Sequence, residues 1–162
     1  MPKRKQNKRP VQNTKPTSLE SKEVLERADK LGIRFIRLWF VDILGHLKSF
    51  SITRRQLEEA LNEGMGFDGS SVEGFARIYE SDLIAKPIPA TFAVLPWRPK
   101  EAGVARMFCD ILTPEGTPYA GDSRWILKQM LAKAAEAGWT YFVGPELEYF
   151  YFKSDQEPEG LD

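Results

Sequence analysis

The stretch Ile33-Arg34-Phe35-Ile36-Arg37-Leu38-Trp39-Phe40-Val41-Asp42-Ile43-Leu44-Gly45-His46-Leu47-Lys48-Ser49-Phe50-Ser51-Ile52 decides the fold class. Its first nine residues are rich in branched and aromatic side chains and lie between Gly32 and the turn residues Asp42 to Gly45, so they predict a strand. Residues 46 to 52 return as a second strand, antiparallel to the first, because only a hairpin tolerates so short a connection. His46 falls just after the turn and, with no second histidine to accompany it, reads as a structural or surface residue.

Outward from this hairpin the pattern changes to helical on both sides. Upstream, Thr17 and Glu20 have capping-box spacing, and Val24, Leu25, Ala28 and Leu31 recur with helical period before Gly32. Downstream, Thr53 and Gln56 repeat the capping pattern, Leu57, Ala60 and Leu61 follow, and Gly64 closes a short helix. Residues 64 to 82 lose periodicity and carry Gly64, Gly66, Gly69 and Gly74, which predicts a long loop. Strand-like pieces follow at 91 to 95 and 104 to 111, ended by the turn Thr113-Pro114-Glu115-Gly116. The unit is therefore α+β. Asp122 then caps a third helix whose stripe of Trp125, Ile126, Leu127, Met130, Leu131, Ala134 and Ala135 runs to Gly138, and residues 139 to 153 read as extended and aromatic. One helix and one or two strands cannot bury both of their faces unless they dock on something else.

Composition narrows the function classes. The 162 residues are 42% hydrophobic and 28% charged, as in soluble globular proteins, and no apolar run approaches the roughly 20 residues of a membrane span. Six of the 23 basic residues lie within residues 1 to 16, which hold no acid, leaving 17 basic against 23 acidic groups in the remainder. Residues 1 to 19 thus read as a disordered, solubilising basic tail, the alternative being a weak contact with RNA or an anionic surface, while the acidic body argues against nucleic acid as a partner. The tail has no apolar core of a secretory signal, so a cytoplasmic location is expected. A lone Cys109 and a lone His46 exclude cysteine or histidine clusters, so any metal site must be built from carboxylates. Cys109 lies within an apolar strand and reads as a core residue.

Two segments carry candidate chemistry. In Gly144-Pro145-Glu146-Leu147-Glu148-Tyr149-Phe150 the two-residue period of a strand puts Glu146 and Glu148 on one face, roughly 6.5 Å apart, close enough to grip one or two hard cations. The same pattern also occurs on ordinary solvated strand faces. Phe67-Asp68-Gly69-Ser70-Ser71 offers a carboxylate, hydroxyls and backbone donors suited to phosphate or ammonium, and equally suits a surface turn, as do Glu80, Ser81 and Asp82. Neither a phosphate-binding G-x-x-x-x-G-K-[ST] loop, a dinucleotide-binding G-x-G-x-x-G nor a hydrolase G-x-S-x-G elbow is present.

Taken together, Ile33 to Phe40, Phe67-Asp68-Gly69-Ser70-Ser71 continuing to Glu80-Ser81-Asp82-Leu83, and Gly144 to Phe150 resemble the N-terminal part of prokaryotic-type glutamine synthetases, over about Val24 to Phe152. The resemblance implies a β-grasp domain over residues 20 to 115 and, from 116 to 162, the opening of the large catalytic α/β domain. It implies ATP-dependent formation of glutamine from glutamate and ammonia through γ-glutamyl phosphate, assisted by two divalent ions, Mg²⁺ or Mn²⁺. Glu146 and Glu148 match the family's metal-binding glutamates. Asp68 matches its aspartate that reaches into the neighbouring subunit's site, with Gly69, Ser70 and Ser71 shaping the loop. The expected assembly is a homo-oligomer, a dodecamer in full-length form, with sites between subunits. Later family motifs are missing, so the chain is expected to be a fragment inactive alone. Relatives that join glutamate to other amines or polyamines share these motifs, and a non-catalytic β-grasp interaction module is an alternative of a different class.

Overall fold

The computed structural model describes residues 18–73, 82–97 and 103–152. The elements run α1 (Ser18–Lys30), β1 (Phe35–Val41), β2 (Leu47–Thr53), α2 (Leu57–Asn62), β3 (Met65–Asp68), α3 (Ser70–Glu73), β4 (Asp82–Pro87), β5 (Ala93–Val94), β6 (Val104–Leu112) and α4 (Ser123–Glu136). The basic tail up to residue 17, the capping Thr17 and the Glu80-Ser81 pair lie outside the described residues.

The predicted hairpin forms as expected: β1 and β2 pair antiparallel from Phe35 opposite Thr53 to Val41 opposite Leu47. The sheet continues from β1 to β6, which is parallel to it, then to β4 and β3 in antiparallel register, with β5 beside β6. Burial alternates strictly along β6, where Ala105, Met107, Cys109 and Ile111 point inward, in register with Ile36 and Leu38 of β1 and Ala85 of β4. Helices α1 and α2 cover this inner face with Val24, Ala28, Leu57, Ala60 and Leu61, giving one continuous core. Cys109 belongs to that core, and burial pushes its thiol up, leaving it protonated and inert.

The helix ends follow the glycines. Gly32, at φ +62°, turns the chain out of α1, with Ile33 N–H donating to Ala28 O at 2.9 Å and Gly32 N–H to Asp29 O at 3.1 Å. The capping box at Thr53 and Gln56 is present and opens a 3-10 turn that leads into α2. Lys86 then donates to the last carbonyls of α2, Leu61 O at 2.9 Å and Asn62 O at 2.6 Å, and burial lowers its pKa.

Two expectations are corrected. The segment after Gly64 is not a continuous loop, since Met65–Asp68 and Asp82–Pro87 are paired strands. In the first of them Gly66 interrupts the apolar alternation, yet it keeps its place in the ladder opposite Ile84. The extended stretch after Gly138 forms no ladder over residues 139–152, because among the described residues nothing supplies the backbone partners a strand requires. Its large side chains stand open, with Phe142 84%, Leu147 80% and Phe150 87% exposed.

Helix α4 itself forms where predicted. The Asp122 carboxylate accepts from Arg124 N at 3.0 Å and reaches back to Ile111 N at 3.1 Å, so one buried side chain both caps the helix and fixes it to β6. Arg124 and Lys128 pair with Asp110 on the outer face of β6 at 3.0 and 2.6 Å.

Gly64 sets the entry into β3 at φ +89°, and a Cβ there would collide with the Ile84 side chain. Gly64→Ala is expected to destabilise the protein by about 2 kcal/mol or more through left-handed strain and the clash together. Urea unfolding checks this; a change within about 0.5 kcal/mol, as for an ordinary surface substitution, would contradict it.

Candidate functional site

Strands β2 and β3 are the two ends of the sheet order, yet their side chains meet. The Phe50 ring of β2 stacks on Phe67 of β3 with centroids 5.6 Å apart, and Phe40 of β1 lies 4.9 Å from Phe67. The sheet must therefore curl until its edges face each other across this aromatic cluster. The antiparallel register puts Lys48 on the same side as Phe50, opposite Phe40. Phe40, Lys48, Ser49, Phe50, Phe67 and Asp68 line an open pocket of about 280 Å³ at this point.

Asp68 is the last residue of β3, so its backbone is held by the ladder while its side chain stands at the pocket edge. Its Oδ1 accepts from Ser70 N at 2.9 Å. That backbone bond, reinforced by the Ser70 hydroxyl, holds the Asp68 carboxyl below its ordinary pKa, so it is ionised at neutral pH. Gly69 is buried, and its carbonyl accepts from Val72 N at 2.8 Å, which folds the loop into α3. Ser71 lies in the backbone of α3. The pocket therefore carries an ionised carboxylate, Asp68, and a lysine, Lys48, around its aromatic residues.

The six residues named from the sequence fall into two groups. Asp68, Gly69, Ser70 and Ser71 are brought together at the end of β3. Glu146 and Glu148 lie apart, on the exposed stretch after α4, and among the described residues no group of three or more His, Cys, Asp or Glu converges into a metal cage. The pocket residues Phe40, Lys48 and Phe50 escaped sequence reading. Their signal was the alternation Lys48, Phe50, Ile52 within β2, but alternation does not say which distant strand the face will meet. His46 is exposed, as expected, with its Nδ1 3.2 Å from Asp42 Oδ2.

A mixed sheet covered on one face by α1 and α2 is of the β-grasp kind, and comparison with known proteins agrees. The family described as "Glutamine synthetase, beta-Grasp domain" matches residues 32–114. The chain belongs to the glutamine synthetase family. Glutamine synthetase of Mycolicibacterium smegmatis is 53% identical over 132 residues, which is 80% of this chain and 30% of that protein. Among solved structures, a GmaS/ADP complex aligns with a TM-score of 0.63 at 28% identity, covering 70% of this chain and 26% of the other. Plasmodium falciparum glutamine synthetase shares the fold, with a TM-score of 0.64 at 21% identity over 73% of this chain and 23% of that one. The chain thus spans about a third or less of the length of these relatives.

Because the Asp68 pKa is depressed in the folded state, its hydrogen bonds stabilise at neutral pH and are lost as pH falls through the lowered value. Ser70→Ala is expected to move the Asp68 midpoint back toward the ordinary carboxylate range without reaching it, since the backbone donor remains. Side-chain carboxyl ¹³C shifts followed between about pH 2 and 6 would show this; an unmoved midpoint would mean that the hydroxyl contributes nothing.

Proposed function

We propose that this chain supplies the N-terminal β-grasp portion of a cytoplasmic glutamate–ammonia ligase, in which ATP phosphorylates the glutamate γ-carboxylate and ammonia displaces the phosphate. The observation that carries the reading is the Asp68 carboxylate, held ionised at the rim of an aromatic-lined pocket in a fold of this family. Several relatives about half identical to this chain, named glutamine synthetase, support ammonia as the acceptor over larger amines.

Asp68 acts first as a cation site. Ammonium is attracted to the carboxylate, which raises its local concentration near the acyl phosphate. The attacking species must be ammonia, whose lone pair is free, so the proton has to leave at the site. With a lowered pKa, Asp68 is a weak base, and its larger contribution is to hold the cation in line with the electrophile. Ser70 keeps the carboxylate in this state, and the Gly69 carbonyl, accepting from Val72 N, folds the chain at the strand end.

Glu146 and Glu148 are hard oxygen donors of the right kind for Mg²⁺ or Mn²⁺, although two carboxylates fill only part of a six-coordinate shell. When bound, such ions would neutralise phosphate oxygens and orient glutamate. Two glutamates two positions apart can each offer an oxygen to the same side once their segment is held extended against a covering surface. The exposed apolar residues of α4 and of 139–152 are suited to such a surface. In this reading Asp68 of one subunit completes the site of the next, within a dodecamer.

Mixed oligomers test both the activity and the sharing. In the full-length protein, Asp68→Asn and Glu146→Gln are each expected to lower glutamine formation about 100-fold or more. Co-assembly of the two variants should restore part of the turnover, because some interfaces then carry both intact residues. Assembled mixed oligomers with no recovery would rule out a site shared between subunits, and full activity of the Asp68→Asn protein would rule out its role.

A further inference from the structure

The β1–β2 turn is built around a carboxylate that the proposed chemistry does not use. Asp42 is 6% exposed, and its Oδ1 accepts from Leu44 N at 3.0 Å and His46 N at 2.8 Å. Its Oδ2 faces His46 Nδ1 at 3.2 Å and Lys48 Nζ at 3.5 Å. Backbone bonds close the same turn: Asp42 N donates to His46 O and Gly45 N to Asp42 O, each at 3.0 Å, with Gly45 at φ +86°. Partial burial pushes the Asp42 pKa up, but the hydrogen bonds outweigh it and leave the group below its ordinary value.

Ile43 N–H points away from this closed turn. It donates to Val72 O in α3 at 3.2 Å, outside any sheet ladder. Val72 is 1% exposed, and its own N–H donates to Gly69 O, so this one residue of α3 links the hairpin to the residue after Asp68. The same hairpin also grips the strand side, through Phe40 and Phe50 against Phe67, the residue before Asp68. The Asp68 loop is thus held on both flanks by one hairpin, and the turn that presents Ile43 N–H depends on the Asp42 carboxylate.

We propose that Asp42 is a positioning residue for Asp68: by fixing the β1–β2 turn it aims Ile43 N–H at Val72 and so sets the angle at which the Asp68 carboxylate is presented. Its significance for ammonia use rests on the proposed function; the mechanical coupling does not. Asp42→Asn keeps an oxygen acceptor for Leu44 and His46 N–H, whereas Asp42→Ala removes it.

Amide hydrogen exchange on the full chain separates these roles. Asp42→Ala is expected to speed exchange at Ile43, Ser70 and Val72 by about tenfold or more while Met107 and Cys109 in the core stay protected, and Asp42→Asn should remain near wild type. Unchanged exchange at Ser70 and Val72 in the folded alanine variant would overturn the proposal. So would a loss of protection spread equally over β6, or an asparagine variant as loose as the alanine one. In full-length protein, Asp42→Ala should raise the KM for ammonium with the KM for glutamate unchanged, and Asp42→Asn should rescue it; equal changes in both would also overturn it. A wild-type protein with no ligase activity would sink the proposed function and leave the exchange result standing.

Discussion

The stacking of Phe50 on Phe67 joins the two ends of one sheet, and most of what is interesting here depends on that contact. A sheet left open would expose its inner face at both edges and leave β3 as a short, unsupported strand of four residues. Right-handed twist brings the edges round, and the rings supply apolar area where the curl meets. The pocket is what remains at the seam, with Asp68 at its rim because β3 ends there.

Three aspartates show how local surroundings divide one chemical group into different tasks. Asp122 is buried at the start of α4, and loss of solvation raises its pKa against two backbone donors. Its work is structural, joining a helix cap to the end of β6. Asp68 is exposed, and hydrogen bonds from Ser70 dominate, so its pKa falls and the charge stays available to a ligand. Asp42 lies between these cases, nearly buried yet satisfied by enough donors to stay charged.

Beyond α4 the balance of forces reverses. Ile126, Leu127, Met130 and Leu131 are 40–53% exposed, and the aromatic stretch that follows is more open still. Side chains of this kind gain free energy only against another apolar surface. Glu146 and Glu148, legible as a pair from their spacing, lie on this open stretch and not beside Asp68.

Much was legible locally. The capping box at Thr53, the glycines that follow α1, α2 and α4, the Asp122 cap and the alternation of β1 and β6 all rest on interactions within a few residues, so the sequence alone determined the hairpin, these three helices and the α+β class. The family motif likewise marked Asp68 before any geometry was known. What only the tertiary structure decided is long-range: that Gly66 sits in a strand, that β1 runs parallel to β6, that Phe50 meets Phe67, and that Ile43 holds Val72. Periodicity states which face of an element is apolar; it carries no information on which distant face will cover it, because burial is non-directional and the partner is chosen by the packing of the whole chain.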